Sequence, residues 1–139
     1  MRVLLEGRQG RAREELLALE QATAQETKSS AGDKYETARE MIAQARSMQA
    51  SALREAEAGL EWVGRQDPSR PFSAIALGAL FRAGDGWFLA CPVPVQIPLE
   101  GLIVQGLSLQ GPLGQCIKGA RAGETREFRG KQVCILVVA

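Results

Sequence analysis

The stretch Gly64-Arg65-Gln66-Asp67-Pro68-Ser69-Arg70-Pro71 divides the chain. Two prolines and a glycine within eight residues cannot continue a helix, because proline removes a backbone donor and clashes with the preceding turn. The hydrophobic period changes across this block. Before it, apolar residues recur at steps of three and four; after it, they come in short runs bounded by Gly or Pro, which is strand behaviour. A chain of 139 residues has room for a helical element and one small globular domain, not for two large cores. The expected fold class is α+β: an N-terminal antiparallel helical hairpin over residues 1–66, followed by a small antiparallel sheet domain with one short helix over residues 67–139.

In the first part, no proline falls between Leu5 and Lys28, and Leu5, Ala12, Leu16, Leu19, Thr23 and Glu26 follow the three-and-four spacing of a coiled-coil seam. Gly7 and Gly10 weaken the first turns. A second helix is expected over 35–63, with Ala38, Met41, Ile42, Ala45 and Met48 on one stripe, then Leu53, Ala56, Leu60 and Val63, and a register shift between 49 and 52. Two helices of about 25 residues joined by a tight connection are neighbours only if antiparallel, forming a rod roughly 35–40 Å long. The connection, Ser29-Ser30-Ala31-Gly32-Asp33-Lys34-Tyr35-Glu36, is turn and capping chemistry.

In the second part, strands are expected over 72–81, 87–91, 102–109 and 133–138, with Gly84-Asp85-Gly86 as a tight hairpin turn. Pro92, Pro94 and Pro98 put residues 92–98 in a loop or at a sheet edge. Pro112, followed by Leu113, Cys116 and Ile117 and then glycine, describes a helix of about two turns.

Composition removes several classes of function. There is no histidine, so Ser-His and Cys-His catalysis are excluded within this chain. Cys91, Cys116 and Cys134 form no CxxC pair, and an odd number suits reduced thiols. No apolar run reaches the roughly 18 residues of a membrane span, and the N-terminal residues lack secretory-signal features. A soluble, cytoplasmic protein is expected. Residues 68–139 hold seven Lys/Arg against four Asp/Glu, too mild an excess for strong nonspecific nucleic-acid binding. Lys118, Arg121, Arg126, Arg129 and Lys131 form either an ordinary charged surface or a contact face. Trp62, Trp87, Phe81 and Phe88 are expected to pack in the core or at a junction, and an aromatic content of 5% leaves little to line a proline pocket.

Asp33 and Glu36 have two readings. They can form a capping box, Asp33 as N-cap and Glu36 three residues on. Alternatively, they are exposed carboxylates whose hard oxygens share a cation such as Mg²⁺ with another protein. Mg²⁺ takes six oxygens, so two acids would complete a site and not build one.

The layout resembles the Gre family of bacterial transcript cleavage factors over nearly the whole chain. That family's tip reads Gly-Asp-x-x-Glu-Asn-Ala, and here Gly32-Asp33-Lys34-Tyr35-Glu36-Thr37-Ala38 stands in the same place. Its second domain carries a Ser-Pro-[Leu/Ile]-Gly/Ala element before a short helix, matched by Gly111-Pro112-Leu113-Gly114 and the following Gln115-Cys116-Ile117-Lys118-Gly119. The resemblance implies a sheet domain of FKBP-like fold docking at the rim of the RNA polymerase secondary channel through Gly111, Pro112, Leu113, Gly114 and Lys118. It also implies tip acids Asp33 and Glu36 that help hold a catalytic Mg²⁺ while the polymerase cleaves a backtracked transcript near its 3′ end. The chain would then be a monomeric accessory factor and not an enzyme, with Mg²⁺ bound only in complex with the polymerase. It departs from the pattern at Thr37, at Arg39-Glu40 and at Gly111. A channel-binding regulator without cleavage, and a coiled-coil interaction module with no polymerase role, stay open beside the cleavage factor.

Overall fold

Alanine, leucine, glutamate and arginine dominate the first 64 residues, and they are strong helix formers. The computed structural model describes residues 1–26 and 32–139, and the side chains of residues 1–25 and 36–139. It contains two long helices, α1 (Arg2–Glu26) and α2 (Gly32–Gly64). They are about 37 Å and about 50 Å long at 1.5 Å per residue. Within the chain, Arg2–Glu61 forms one compact unit, and Trp62–Ala139 with Met1 forms the other.

The helices of the first unit run antiparallel. Arg13 Nη2 lies 3.4 Å from Glu57 Oε1, and Arg46 Nη2 donates to Thr23 Oγ1 at 3.5 Å, so mid α1 faces late α2 and late α1 faces mid α2. Along α1 the seam takes the expected positions: Leu5 and Ala12 are buried, and Leu16, Leu19 and Thr23 are half-buried. The side chain of Glu26 lies outside the described residues. On α2 the seam passes through Ala38, Ile42, Ala45, Gln49, Leu53, Ala56, Leu60 and Val63. Met41 and Met48 do not belong to it, being 66% and 71% exposed. The expected register shift is two consecutive four-residue steps, Ala45 to Gln49 to Leu53, a stutter that puts a polar residue in the seam where Met48 was expected.

The second unit is a six-stranded sheet: β1 (Leu80–Ala83), β2 (Gly86–Ala90), β3 (Gln96–Leu99), β4 (Leu102–Leu107), β5 (Thr125–Phe128) and β6 (Lys131–Val138). The order is β3-β4-β2-β1-β6-β5. The sheet is mixed and not antiparallel throughout, because β2 and β4 pair in parallel, Trp87 beside Val104 and Ala90 beside Leu107. Physically, residues 91–95, with Pro92 and Pro94, carry the chain past the neighbouring position. The chain then returns through the β3–β4 hairpin, which places β4 beside β2 and leaves β3 at the edge.

Three two-residue turns close the local hairpins. Gly84 (φ 57°) and Asp85 join β1 to β2, with positive φ at the first central residue only, as in a type II′ turn. Glu100 and Gly101 (φ 47° and 82°) join β3 to β4, and Arg129 and Gly130 (φ 51° and 77°) join β5 to β6. Positive φ at both central residues is the type I′ signature that suits the twist of the flanking strands.

The first expected strand, over 72–81, is a strand only from Leu80. Upstream, Gly78 takes φ 100°. Ile75 bonds outside the sheet ladders, its N–H donating to the Ala120 carbonyl and its carbonyl accepting from Gly119 N–H, both at 2.8 Å. The short helix α3 (Pro112–Ile117) starts on Pro112 as expected. The core of this unit gathers Ile75, Phe81, Ala90, Leu109, Ile117, Ala120 and Ile135. Phe81 and Phe88 stack at 5.4 Å with an interplanar angle of 18°, so both pack structurally as expected; Trp62 and Trp87 are half-buried.

Candidate functional sites at the hairpin end and on the short helix

Two groups of residues merit separate treatment. The first lies where α1 gives way to α2. Ser29, Ser30 and Ala31 fall outside the described residues. Because α2 begins at Gly32, Asp33 is the second residue of its first turn, two positions past the N-cap. Positions 33 and 36 are three apart on the helix, hence on one face, and acidic residues there also complement the positive end of the helix dipole. The Glu36 side chain is exposed; that of Asp33 lies outside the described residues. An exposed carboxylate is an acceptor-only oxygen donor of the type Mg²⁺ prefers. Among the described residues no group of three or more His, Cys, Asp or Glu could enclose a metal, so any ion here would need ligands from elsewhere.

The second group is Gly111, Pro112, Leu113, Gly114 and Lys118 on and beside α3. Pro112 occupies the first helical position, where its missing N–H costs nothing. Gly111 has extended backbone (φ −74°, ψ 168°) and gives the helix no side-chain cap. Gly114 is buried, and a Cβ there would collide with the Ser108 carbonyl oxygen and stand 2.5 Å from Leu109 Cα. Space inside the domain therefore dictates this glycine, whatever the helix contacts outside. Lys118 closes the helix, its N–H donating to the Gly114 carbonyl at 2.9 Å, and its side chain is exposed, as is Pro112. Leu113 is half-buried and turned against the core. The sequence element is thus one local structure, but of these five residues only Pro112 and Lys118 are exposed.

Two solved structures match along nearly the whole chain. The crystal structure of GreA factor homolog 1 (Gfh1) protein of Thermus thermophilus is 16% identical, with 99% of this chain and 94% of that chain covered, at a TM-score of 0.40. A structure of the transcription factor Gfh1 is 15% identical, with coverage of 99% and 92% and a TM-score of 0.41. No family model matches the chain, and no curated protein does.

Lys118, Arg121, Arg126, Arg129 and Lys131, five of the seven basic residues in 68–139, are not equivalent. Arg126 pairs with Glu124 at 3.0 Å, and the Arg129 guanidinium sits 5.1 Å from the centre of the Phe128 ring. Cys91 is buried and donates its S–H to the Val93 carbonyl at 3.1 Å; burial pushes its thiol above the ordinary range. Asp67, in the block between the two halves, accepts from the Ser69 hydroxyl at 2.5 Å and from its backbone N–H at 2.9 Å. Those two bonds lower its carboxyl below the usual range.

Sequence reasoning missed one feature. Three of the four phenylalanines, Phe81, Phe88 and Phe128, line a single open pocket of about 450 Å³ between the sheet and α3. An aromatic content of 5% had argued against such a lining. The signal lay in strand alternation, since Phe81 and Phe88 are cross-strand partners, and in the Arg129-Gly130 turn that folds Phe128 back beside Lys131.

Proposed function

We propose that this protein is an accessory factor of RNA polymerase that enters the secondary channel hairpin first. In this reading it stimulates hydrolysis of backtracked transcripts near their 3′ end. The observation that carries the reading is the position of the Gly32-Asp33-Lys34-Tyr35-Glu36 motif. It opens α2 at the closed end of an antiparallel helix pair, so its two acids share one helix face and Glu36 is exposed. A helix of about 37 Å is long enough to carry such a motif deep into a channel. Asp33 and Glu36 would hold an Mg²⁺ jointly with carboxylates of the polymerase, and the ion, when bound, stabilises charge on the attacking and leaving oxygens. The role of the chain's own residues is to position two acceptor groups and orient a water. The second domain docks through the face bearing Pro112 and Lys118, with Gly111, Leu113 and Gly114 shaping the helix that presents them. No step of the chemistry belongs to this chain alone.

The test is a cleavage assay on a stalled, backtracked elongation complex. Asp33→Asn and Glu36→Gln each abolish the short 3′ product while leaving polymerase binding intact; cleavage equal to the parent in both variants would refute the assignment. A second reading is favoured by Thr37, Arg39 and Glu40, which depart from the tip pattern that the motif otherwise follows. In it the protein occupies the channel and slows nucleotide addition without cleavage. The same assay separates the two, since the regulator yields no 3′ product with any variant and lengthens the time per added nucleotide.

A further inference from the structure

The α3 helix is only six residues long, too short to cover the sheet face it packs on. The consequence is the pocket described above, with Phe88, Leu107, Leu113, Phe128 and Val133 all half-buried around it. A folded domain ordinarily buries such residues more completely, and an open apolar concavity of this kind marks a binding surface. Its mouth is charged on one side. Arg129 and Lys131 line it and no carboxylate does, and the domain around it carries seven Lys/Arg against four Asp/Glu over residues 68–139. The same sheet face runs on past the pocket along β4, through the exposed Gln105. Gln105 and Leu107 pair laterally with Phe88 and Ala90, so alternation puts Ile103 on the same face, where it is 59% exposed.

We propose that this pocket takes a bulky apolar side chain from an extended, acidic segment of a partner protein. The apolar side chain fills the space among Phe88, Phe128 and Leu113, and flanking carboxylates meet Arg129 and Lys131. An extended segment suits the site because the pocket opens onto a strip leading towards Ile103, whereas a small ligand would need closed walls. Arg129 is already oriented for this role, its guanidinium resting on the Phe128 ring. The pocket has these properties whether or not the chain enters a polymerase channel.

The probe is a synthetic peptide, acetyl-Glu-Asp-Leu-Asp-Glu-amide, titrated into the full chain while the methyl resonances of Leu107, Leu113 and Val133 are followed by NMR. Those methyls shift saturably. Replacing the central leucine of the peptide by alanine weakens binding about tenfold or more, as expected for losing most of one buried aliphatic side chain. Replacing the peptide's acids by lysines weakens it about fivefold or more at low ionic strength, and the gap narrows at high salt. Two variants of the protein test the site: Ala83→Leu, which narrows the pocket, and Lys131→Glu, which lies on the exposed rim, away from the core, and so guards against misfolding. Both weaken the acidic peptide, and Lys131→Glu also removes the preference over the basic one. Equal binding of the leucine and alanine peptides would overturn the proposal, as would shifts confined to methyls elsewhere. So would the same pocket methyls shifting on concentration of the protein alone, which would make a second copy the occupant.

Discussion

Substitution of Gly114 by alanine isolates the steric demand at the start of α3. The added Cβ would meet three backbone atoms: the Ser108 carbonyl oxygen, Leu109 Cα at 2.5 Å and Leu109 C at 2.9 Å. No side-chain rotation relieves backbone contacts, so the helix must move away from residues 108 and 109 by about an ångström, the shortfall from ordinary van der Waals separation. Leu109 belongs to the core, and the displacement disturbs its packing. Overpacking of this kind costs about 3 kcal/mol, or roughly 12–24 °C in melting temperature for a unit of the size of Trp62–Ala139. Gly111→Ala is the control. Its Cβ would lie 3.6 Å from the same Ser108 oxygen, and its backbone angles suit any residue, so the change stays within about 0.5 kcal/mol. Tryptophan fluorescence reports the relevant unit, because Trp62 and Trp87 are the only tryptophans and both fall in Trp62–Ala139. Urea unfolding followed by fluorescence shows a large loss of midpoint for Gly114→Ala and almost none for Gly111→Ala. Circular dichroism of the helices tests whether the hairpin is spared. If Gly114→Ala unfolds at the parent's midpoint, or Gly111→Ala is equally damaging, the close approach of α3 to residues 108 and 109 is wrong.

Three further outcomes follow from the packing. Cys134 is exposed, Cys116 half-buried and Cys91 buried, so alkylation followed by mass spectrometry modifies Cys134 first and Cys91 only on unfolding. Because burial raises the Cys91 thiol's folded-state pKa, its contribution to stability is complete below the ordinary thiol range and declines as pH rises through that raised value. Urea midpoints between pH 7 and 10 fall for the parent and fall less for Cys91→Ala. In the hairpin, Leu5 is fully buried whereas Leu17 is 61% exposed. Leu5→Ala therefore costs about 3 kcal/mol and Leu17→Ala less than about 0.5 kcal/mol, measured by helical circular dichroism during denaturation.

The two-part organisation was legible from the change of hydrophobic period across residues 64–71, since a helical seam and a strand pattern obey different geometries. The α1 seam and α3 followed from spacing and from one proline. Met41 and Met48 misled because hydrophobicity alone cannot tell a seam from its flank; the stutter at Gln49 shows where the seam runs. Strand β3 was legible only as a loop or an edge, because Pro92, Pro94 and Pro98 argue against a central strand, and β5 escaped notice because it is four residues long with Phe128 as its one apolar side chain. Their turns, Glu100-Gly101 and Arg129-Gly130, were the available signal, though Glu-Gly and Arg-Gly are weaker hairpin markers than Asn-Gly. The parallel β2–β4 pair lay beyond local pattern, since it depends on where residues 91–95 lead the chain. For the tip, residue types left a capping box and a shared cation site both open, and the α2 start at Gly32 puts Asp33 within the helix.

The two outer strands of the sheet also govern how another protein can approach it. A long free edge would offer a row of unsatisfied amides and carbonyls to which a foreign strand could add, extending the sheet from one chain to the next. Here each edge is four residues long, and on β3 Pro98 removes a donor from the middle of that short row. Strand addition is thereby discouraged at both sides. Recognition by this domain is left to its faces, where side-chain shape and charge, not backbone hydrogen bonding, select the partner.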